Sequence, residues 1–323
     1  MQAILDQLYA LMTAGDIINR MAVLFVMMAV GFIIGKTKIL TQEANKSFTR
    51  LILFVALPCT ILNSVFENES NITAGDTIHF LLMTLLTFAI AFAVSIPVIR
   101  LLGGVKANRG LLNFMSVFSN SGFMGFPVVI AIFGVSSAYY IALFNIPFNL
   151  IVFTIGVYLI ASGHSGGEGK KKRFNPKLLF NPTLIIAILA VPIALTGIRP
   201  PSVFTEAIRI TGSMTTPGGM LIIGATLANV PFKTIFSEWR IIPVTLLKLI
   251  IIPVVTWLIL RQIITNELML GVLVVISGMP TAAMASMFAI EYGGNEKTAS
   301  AGVFLTTLLC GITVPLIVYF LLM

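Results

Sequence analysis

The sequence predicts an all-α polytopic membrane protein of ten transmembrane helices, arranged as two inverted repeats of five helices. Of its 323 residues, 58% are hydrophobic and 10% are charged, whereas soluble domains carry about 25% charged residues. The apolar residues form long runs separated by Gly, Pro or charged residues, and roughly 20 apolar residues are enough to span a bilayer. The basic residues are concentrated in alternate loops, which indicates one cytoplasmic side.

Hydropathy, with Gly, Pro and charge taken as boundaries, places the ten spans along most of the chain. Residues 1–16 carry Asp6 and Asp16 and lack a basic leader. We therefore expect a short amphipathic segment at the membrane interface rather than a cleavable signal. Both cysteines, Cys59 and Cys310, fall inside spans and predict no disulfide framework. The predicted spans are 17–35, 47–66, 77–99, 109–133, 138–161, 178–197, 204–228, 238–260, 268–290 and 297–321.

Basic residues are shared unequally between the two sides that ten spans create. One set of loops holds fifteen Lys and Arg residues, including the run KKKR at 170–173, and the other set holds Arg20, Arg199, Arg209 and Arg261. Cytoplasmic loops carry the excess of Lys and Arg, so we expect both termini to lie outside. This topology accounts for the net charge of +8, and no nucleic-acid partner is expected.

Matched interruptions in the two halves predict an internal duplication. Span two contains Pro58, and span seven contains Pro217, 159 residues later. Span four is interrupted near Asn120, and span nine is interrupted near Thr281, 161 residues later. The alternative is that Gly and Pro are simply frequent in membrane helices.

The predicted repeats cover residues 1–162 and 178–323, and a Gly-rich, basic cytoplasmic loop at 163–177 connects them. Because five is an odd number, the second repeat enters the membrane upside down relative to the first, as in many transporters. The broken fourth and ninth helices are then expected to cross at the membrane midplane.

The two interruptions predict a binding site for a small anion. The second half of each broken span begins at a helix N-terminus, where unpaired N–H groups and the helix dipole favour negative charge. Broken backbone facing lipid is very costly, so both interruptions must face protein or a watery cavity. Asn120 and Thr281 either cap the half-helices or contact the ligand directly. The candidate substrate-binding residues here are Ser119, Asn120, Ser121, Gly122, Pro280 and Thr281.

Lys248 and Asn145 are further candidates inside predicted spans. Lys248 is the ionisable side chain nearest a span centre, and a charge there is costly enough to indicate function. It either attracts a carboxylate or replaces a coupling cation. The structural alternatives are a lysine that snorkels to the cytoplasmic interface or one that bonds helix carbonyls. Asn145 and Asn149, one turn apart in span five, either face the cavity or bond a neighbouring helix.

Several segments, taken in order, resemble the auxin efflux carrier family, which includes plant PIN-type exporters and bacterial permeases. The segments are LILFVALPCTILNSVF in span two, SNSGFMGFPVVIAIFG in span four, FNPTLIIAILAVPIAL in span six, TTPGGMLIIGATLA in span seven, LKLIIIPVV in span eight, and MPTAAMASMFAIEYGGN and TVPLIVYFLL towards the end.

The resemblance implies ten spans in two inverted repeats whose broken helices cross at the substrate site. It also implies a scaffold of spans 1, 2, 6 and 7, with Pro58 and Pro217 on the scaffold side of the pocket, and a mobile transport domain of spans 3–5 and 8–10. PIN-type members carry Pro-Asn at the first crossover, where this chain has Ser119-Asn120, and Pro280 matches the proline of the second crossover. The short cytoplasmic loop is similar to that of bacterial members, which are associated with malate and malonate.

The expected function is therefore secondary transport, in the export direction, of small organic anions such as malate, malonate or auxin-like weak acids. The expected mechanism is elevator-like alternating access. The alternative is a membrane receptor or sensor that binds a similar carboxylate without transporting it. We place the chain in the bacterial inner membrane as a multi-pass protein. The oligomeric state stays open, with a homodimer among the options.

An enzyme is not expected from this sequence. The pattern G-x-S-x-G at 163–167 lies in a Gly-rich loop, whereas a hydrolase needs it between a strand and a helix. Neither His79 nor His164 belongs to an acid–base or metal-binding group in the spans. We accordingly expect no catalytic residue, metal or cofactor.

Overall fold

A computed structural model describes residues 2–66, 73–103, 106–162, 182–198, 200–228, 239–292 and 294–322. Within these ranges the chain is helical, and its one β-type pairing is an isolated bridge. The helices are α1 (Gln2–Lys36), α2 (Gln42–Leu51), α3 (Leu57–Phe66), α4 (Ala74–Leu101), α5 (Lys106–Val117), α6 (Phe126–Phe133), α7 (Ser137–Ile151), α8 (Val157–Ser162), α9 (Pro182–Thr196), α10 (Ser202–Ser213), α11 (Thr215–Leu227), α12 (Ile241–Leu246), α13 (Ile252–Leu260), α14 (Glu267–Ser277), α15 (Met284–Tyr292) and α16 (Glu296–Ile317).

In the described part of the chain, five π-helical turns extend or join these helices. They cover Ile52–Ala56, Ser121–Gly125, Val152–Gly156, Leu247–Ile251 and Val318–Leu322. Pro58, Pro127 and Pro253 each follow such a turn that ends two residues earlier. A proline cannot donate to the carbonyl four residues before it, and its ring crowds that carbonyl. The wider turn relieves this conflict without ending the helix.

Among the described residues, six continuous stretches are long and apolar enough to cross a membrane, as expected for a polytopic membrane protein. They are Asn19–Lys36, Gln42–Phe66, Ala74–Leu101, Ser137–Ala161, Ile241–Leu260 and Glu296–Leu322. These stretches coincide with predicted spans 1, 2, 3, 5, 8 and 10. Shorter apolar helices occupy parts of spans 4, 6 and 9, and α10 with α11 occupies span 7. The inverted arrangement of ten spans stays a prediction, and the basic loop 163–177 lies outside the described residues.

The first helix is longer than the sequence predicts. A separate amphipathic segment was expected before span one, but α1 runs without interruption from Gln2 to Lys36. Gly15 alone does not break the helix, because a single interior glycine costs only about 1 kcal/mol. A helix of 35 residues is about 52 Å long, so it extends well beyond a hydrocarbon core of about 30 Å.

Helices α1 and α11 pack unusually closely because glycines face the partner backbone. A Cβ on Gly31 would lie 2.5 Å from the carbonyl oxygen of Leu221, and one on Gly35 would lie 2.9 Å from Cα of Ala225. Gly224 of α11 approaches the backbone of α1 in the same way. The G-x-x-x-G spacing of Gly31 and Gly35 therefore marks a helix-packing face.

A second close crossing joins α3 to the junction of α10 and α11. The hydroxyl of Thr60 lies 2.8 Å from the carbonyl oxygen of Gly212 and 2.7 Å from the hydroxyl of Thr215. Through these contacts Thr60 of α3 binds both the C-terminal end of α10 and the start of α11. Pro58 is buried near this crossing, whereas the side chain of Pro217 is exposed.

An aromatic cluster packs α4, α5, α7 and α15 together. Ring centroids lie 6.1 Å apart for Phe88 and Phe118, 6.0 Å for Phe118 and Phe148, and 5.7 Å for Phe114 and Phe288. Tilted and edge-on pairs such as these each add about 0.5–1.5 kcal/mol beyond burial. The cluster surrounds the end of α5, where the chain leaves the helical conformation.

Candidate functional site

Two interrupted helices meet at a backbone crossing in the interior. Between α5 and the π-helical turn at Ser121, and between α14 and α15, the chain becomes extended, and Ser119 pairs with Thr281 as an antiparallel bridge. The N–H of Asn120 donates to the carbonyl of Pro280 at 2.7 Å, and the N–H of Ala282 donates to the carbonyl of Phe118 at 2.8 Å. The crossing therefore joins the two predicted interruptions, which lie about half a chain apart.

The bridge pairs backbone N–H and C=O groups that the two interruptions leave without partners in their own helices. An unpaired N–H or C=O costs several kcal/mol in a medium without water. At the crossing each interrupted segment supplies the partners that the other lacks, and Pro280 has no N–H that would need one. The residues at the bridge, Ser119 and Thr281, are 3% and 0% exposed, so the crossing lies inside the protein.

Lys248 lies on the Ser119 side of this bridge. Its side chain is fully buried, and Nζ donates to the Ser119 hydroxyl at 2.6 Å and to the carbonyl of Val117 at 3.4 Å. Val117 is the last residue of α5, whose C-terminal end carries a partial negative charge. The side-chain nitrogen thus binds a half-helix end, and it forms no ion pair with a carboxylate in the described part of the chain.

This geometry separates the alternatives for Lys248. A snorkelling lysine would reach the membrane interface, but Nζ is directed into the crossing. The alternative in which the lysine bonds helix carbonyls agrees with the contact to the carbonyl of Val117. Lys248 also binds Ser119, which is one of the predicted substrate-binding residues. The position within the π-helical turn Leu247–Ile251 follows from Pro253 two residues beyond it.

Thr281 also binds the C-terminal end of α5. Its hydroxyl donates to the carbonyl of Met115 at 2.8 Å, and its N–H donates to the hydroxyl of Thr306 at 3.1 Å. The hydroxyl therefore caps α5 in this structure rather than α15, which begins at Met284. Thr306 of α16 was not singled out from the sequence, although a polar residue in a predicted span was the available signal.

Asn120 caps the half-helix that leads into α6. Its Oδ1 accepts from the N–H of Phe123 at 3.3 Å, and its main-chain carbonyl accepts from the N–H groups of Met124 and Gly125. The amide nitrogen Nδ2 has no hydrogen-bond partner among the described residues, and the residue keeps 7% of its surface exposed. Asn120 therefore caps the half-helix through Oδ1, and its Nδ2 remains available to donate to a ligand.

Open space lies next to this donor, at Gly122. A Cβ built on Gly122 would meet no atom within 4 Å. Gly122 belongs to the first turn after the break, whose N–H groups have no acceptor in their own helix. The Asn120 amide and this N–H thus both belong to the positive end of a half-helix, which is a setting suited to an anion.

Asn145 supports the crossing from α7. Its Oδ1 accepts from the hydroxyl of Ser121 at 2.8 Å, and its Nδ2 donates to the carbonyl of Ile141 at 2.8 Å. Asn149 in turn donates to the carbonyl of Asn145 at 2.6 Å. Of the two alternatives from the sequence, the structure has Asn145 bonded to a neighbouring segment, where it fixes the orientation of Ser121.

The helices of the predicted scaffold reach the crossing through Phe123. Phe123 and Phe48 pack against a small apolar cluster of Ile52, Ala56 and Ile222. A Cβ on Gly219 of α11 would lie 3.0 Å from the carbonyl oxygen of Phe123. This contact brings α11 next to the residue that follows Gly122, and Pro217, two residues before Gly219, has an exposed side chain.

These features define a polytopic helical membrane protein whose polar centre is a crossing of two interrupted helices. Residues 16–318 match the profile of the family described as "Membrane transport protein". The chain therefore belongs to this membrane transport family, the auxin efflux carrier family that its segments resemble. His, Cys, Asp and Glu side chains do not group into a metal site in the described ranges.

Curated relatives extend over nearly the whole chain. "Uncharacterized transporter YfdV" of Escherichia coli (strain K12) is 24% identical over 301 residues, covering 92% of this chain and 95% of the relative. "Uncharacterized transporter MJ1031" of Methanocaldococcus jannaschii is 25% identical, covering 88% of this chain and 92% of the relative. The "Putative malonate transporter" of Rhizobium meliloti is 26% identical, covering 86% of this chain and 87% of the relative.

Proposed function

We propose that this protein is a secondary carrier that exports small carboxylates of the malonate or malate type. The observation that carries the proposal is the start of the half-helix that leads into α6. There the Asn120 amide nitrogen and the first-turn N–H of Gly122 have no acceptor among the described residues. A carboxylate placed there would accept both bonds and would oppose the positive end of the helix dipole. The name of the Rhizobium meliloti relative supports malonate as the first substrate to test.

The proposed mechanism is alternating access with an elevator-like movement. The scaffold would comprise α1, α2–α3, α9 and α10–α11, and the remaining helices would form the transport domain. Two features support this division. Glycine packing ties α1 to α11, and the aromatic cluster ties α4, α5, α7 and α15 to one another. The crossing itself belongs entirely to the second group, so it would move as one body with its substrate.

Lys248 has two roles in this proposal. It holds the carbonyl end of α5 against Ser119, and its charge contributes a positive potential at the crossing. A fixed cation there would do what a bound coupling cation does in other carriers. The site contains hydrogen-bond donors and one basic side chain, and the match to a membrane transport family supports carriage rather than chemistry.

Flux in proteoliposomes tests the proposal. Purified protein reconstituted with internal malonate should release it, and external unlabelled malonate should accelerate the exchange of labelled malonate. Malonate should also raise the thermal stability of the purified protein, because a ligand that binds only the native state stabilises it. Stabilisation without flux would replace the carrier with a receptor. Neither effect with malonate, malate or an auxin-like acid would contradict the proposed substrate class.

A further inference from the structure

An apolar groove of about 320 Å³ opens between α1 and α16. Met21, Ala22 and Phe25 line it from α1, and four side chains of the stretch 308–315 line it from α16. Every lining residue is apolar or glycine, and the groove is open along one side. It lies away from the crossing and has no part in the proposed substrate site.

Small residues on both helices create this groove. A Cβ on Gly311 would lie 2.7 Å from the ring of Phe25, so the Phe25 ring packs directly on the backbone of α16. Ala22, one turn before Phe25, is exposed and leaves the gap beside that ring unfilled. Pro315 on α16 borders the groove, and its ring removes one backbone donor from that helix.

The surroundings of the groove are those of a lipid-facing surface. Val26, Leu308 and Ile312 are 63%, 53% and 64% exposed, and all belong to apolar spans. Water does not occupy an apolar cavity that offers it no hydrogen bonds. An empty groove would forfeit the dispersion contacts of every atom that lines it. Hydrocarbon is the material that satisfies both conditions in a bilayer.

We propose that this groove binds one acyl chain of a membrane lipid. Recognition rests on shape and dispersion, because the lining side chains that the structure describes are neither charged nor hydrogen-bonding. The lipid headgroup is therefore not selected by these residues. The Phe25 ring, Met21 and the α16 backbone at Gly311 form the floor, and Ala22 and Ile312 form the edges of the groove.

A bound chain would also affect the transport cycle, and this part rests on the proposed function. Helix α1 belongs to the proposed scaffold and α16 to the proposed transport domain. The groove therefore changes shape whenever the two move past one another, and an acyl chain that fits it favours the conformation described here. Chain length and unsaturation of the surrounding lipids should then alter flux.

The test uses a phospholipid with a photoreactive diazirine in its acyl chain, reconstituted with the full-length protein. Labelled peptides are mapped by mass spectrometry. Labelling should concentrate on residues 21–25 and 308–315, several-fold above the lipid-facing side of α4 at Leu82 and Leu85, which are 54% and 47% exposed. Equal labelling of the groove and of α4 would mean ordinary surrounding lipid and would overturn the proposal.

Substitutions that fill the groove are the second part of the labelling experiment. Ala22→Phe should reduce labelling of the groove several-fold. Val23→Phe, at the next residue but outside the lining and 58% exposed, should leave it unchanged. Ile312→Trp fills the groove from α16 and replaces Ala22→Phe if that variant does not fold. Unchanged labelling in a folded, filled variant would contradict the proposal, and because labelling needs no flux, its result is independent of the carboxylate hypothesis.

Discussion

Lys248 brings a positive charge to the interior of the described chain, where it binds Ser119 and the last carbonyl of α5. Lys248→Gln keeps a hydrogen-bond donor and removes the charge. We expect malonate, as a dianion, to lose roughly tenfold in affinity or more, since hydrogen bonds and contacts to charged groups are worth about 1.5–3 kcal/mol. A monoanion such as acetate should lose less. The measurement is competition for malonate flux.

Lys248→Arg is the matched control for this prediction. It keeps the charge and changes the shape of the donor group, so part of the malonate flux should remain. Ser119→Ala removes the partner of Nζ and leaves the lysine in place. If Lys248→Gln and Ser119→Ala weaken monoanions and dianions equally, the lysine only positions α5 and does not act on the substrate.

Asn120 combines a cap with a free donor, and the two roles separate by substitution. Asn120→Ala should lower thermal stability by the usual cost of a lost cap, about 1 kcal/mol, and should also weaken malonate binding. Asn266→Ala removes a comparable cap, in which Oδ1 accepts from the N–H of Met269 at 3.1 Å, at the end of α14 opposite to the crossing. It should lower stability alone. Similar malonate affinity in the two variants would remove Asn120 from the site.

Sequence alone indicated which residues are polar inside apolar spans, and this was enough to select Lys248, Asn120, Asn145 and Thr281. It could not indicate their partners. The contact between Lys248 and Ser119 joins residues 129 positions apart, and the contact between Thr281 and Met115 joins residues 166 apart. Residue type predicts that a buried polar group needs a partner, but long-range packing decides which one it has.

Glycines allow several pairs of helices to approach closely. At Gly224 of α11 the approach leaves no room for a side chain. Gly224→Ala should lower the thermal stability of the purified protein markedly, because its Cβ would overlap the backbone of α1 near Met28. Helix propensity alone would favour alanine by about 1 kcal/mol. Gly15→Ala in α1, where a Cβ meets no atom within 4 Å, is the control and should be neutral or stabilising. Equal stability of both variants would refute the close approach.

Arg20 links α1 to the half-helix α6. Its guanidinium donates to the carbonyl of Ala131 at 3.0 Å, near the C-terminal end of α6, where a cation is favoured. In the proposed cycle this bond joins the scaffold to the transport domain. Arg20→Gln should therefore raise the rate at which a cysteine at Gly122 is modified by a charged thiol reagent added from outside.

Arg261→Gln is the control for the Arg20 prediction. Arg261 also belongs to the outer set of basic residues, but its guanidinium stacks on Trp257 of the preceding turn, 4.3 Å from the ring centroid. Its removal should leave the modification rate unchanged. If both substitutions act equally, surface charge explains the effect and the bond from α1 to α6 does not.

At the scale of elements, spans were predictable where an apolar run was continuous. Helices α4 and α16 agree with predicted spans 3 and 10 within a few residues, because hydropathy alone determines such helices. The π-helical turns were not predicted, and those before Pro58, Pro127 and Pro253 depend on how a proline is accommodated within a helix that continues. Helix α1 contains the predicted span 17–35 and continues towards the N-terminus, because polarity ends a membrane span without ending a helix.

For the whole molecule, topology is the prediction with the widest consequences. On a background without Cys59 and Cys310, a cysteine at Lys38 should react with a membrane-impermeant reagent only from the cytoplasm. A cysteine at Ser202 should react only from outside. The expectation follows from the fifteen-to-four distribution of basic residues. Reaction of both positions from one side would contradict ten spans with both termini outside.

The bridge between Ser119 and Thr281 has a consequence for biosynthesis. Its two strands are separated by 162 positions in the chain, and ribosomes add about 5–20 residues per second. For roughly 8–32 s, the N–H of Asn120 and the carbonyl of Phe118 are already synthesised while Pro280 and Ala282 are not. The nascent first half therefore needs temporary partners for these groups, from water or from the insertion machinery. A chain released at residue 162 would expose the broken helix permanently, which makes it a substrate for quality control rather than half a carrier.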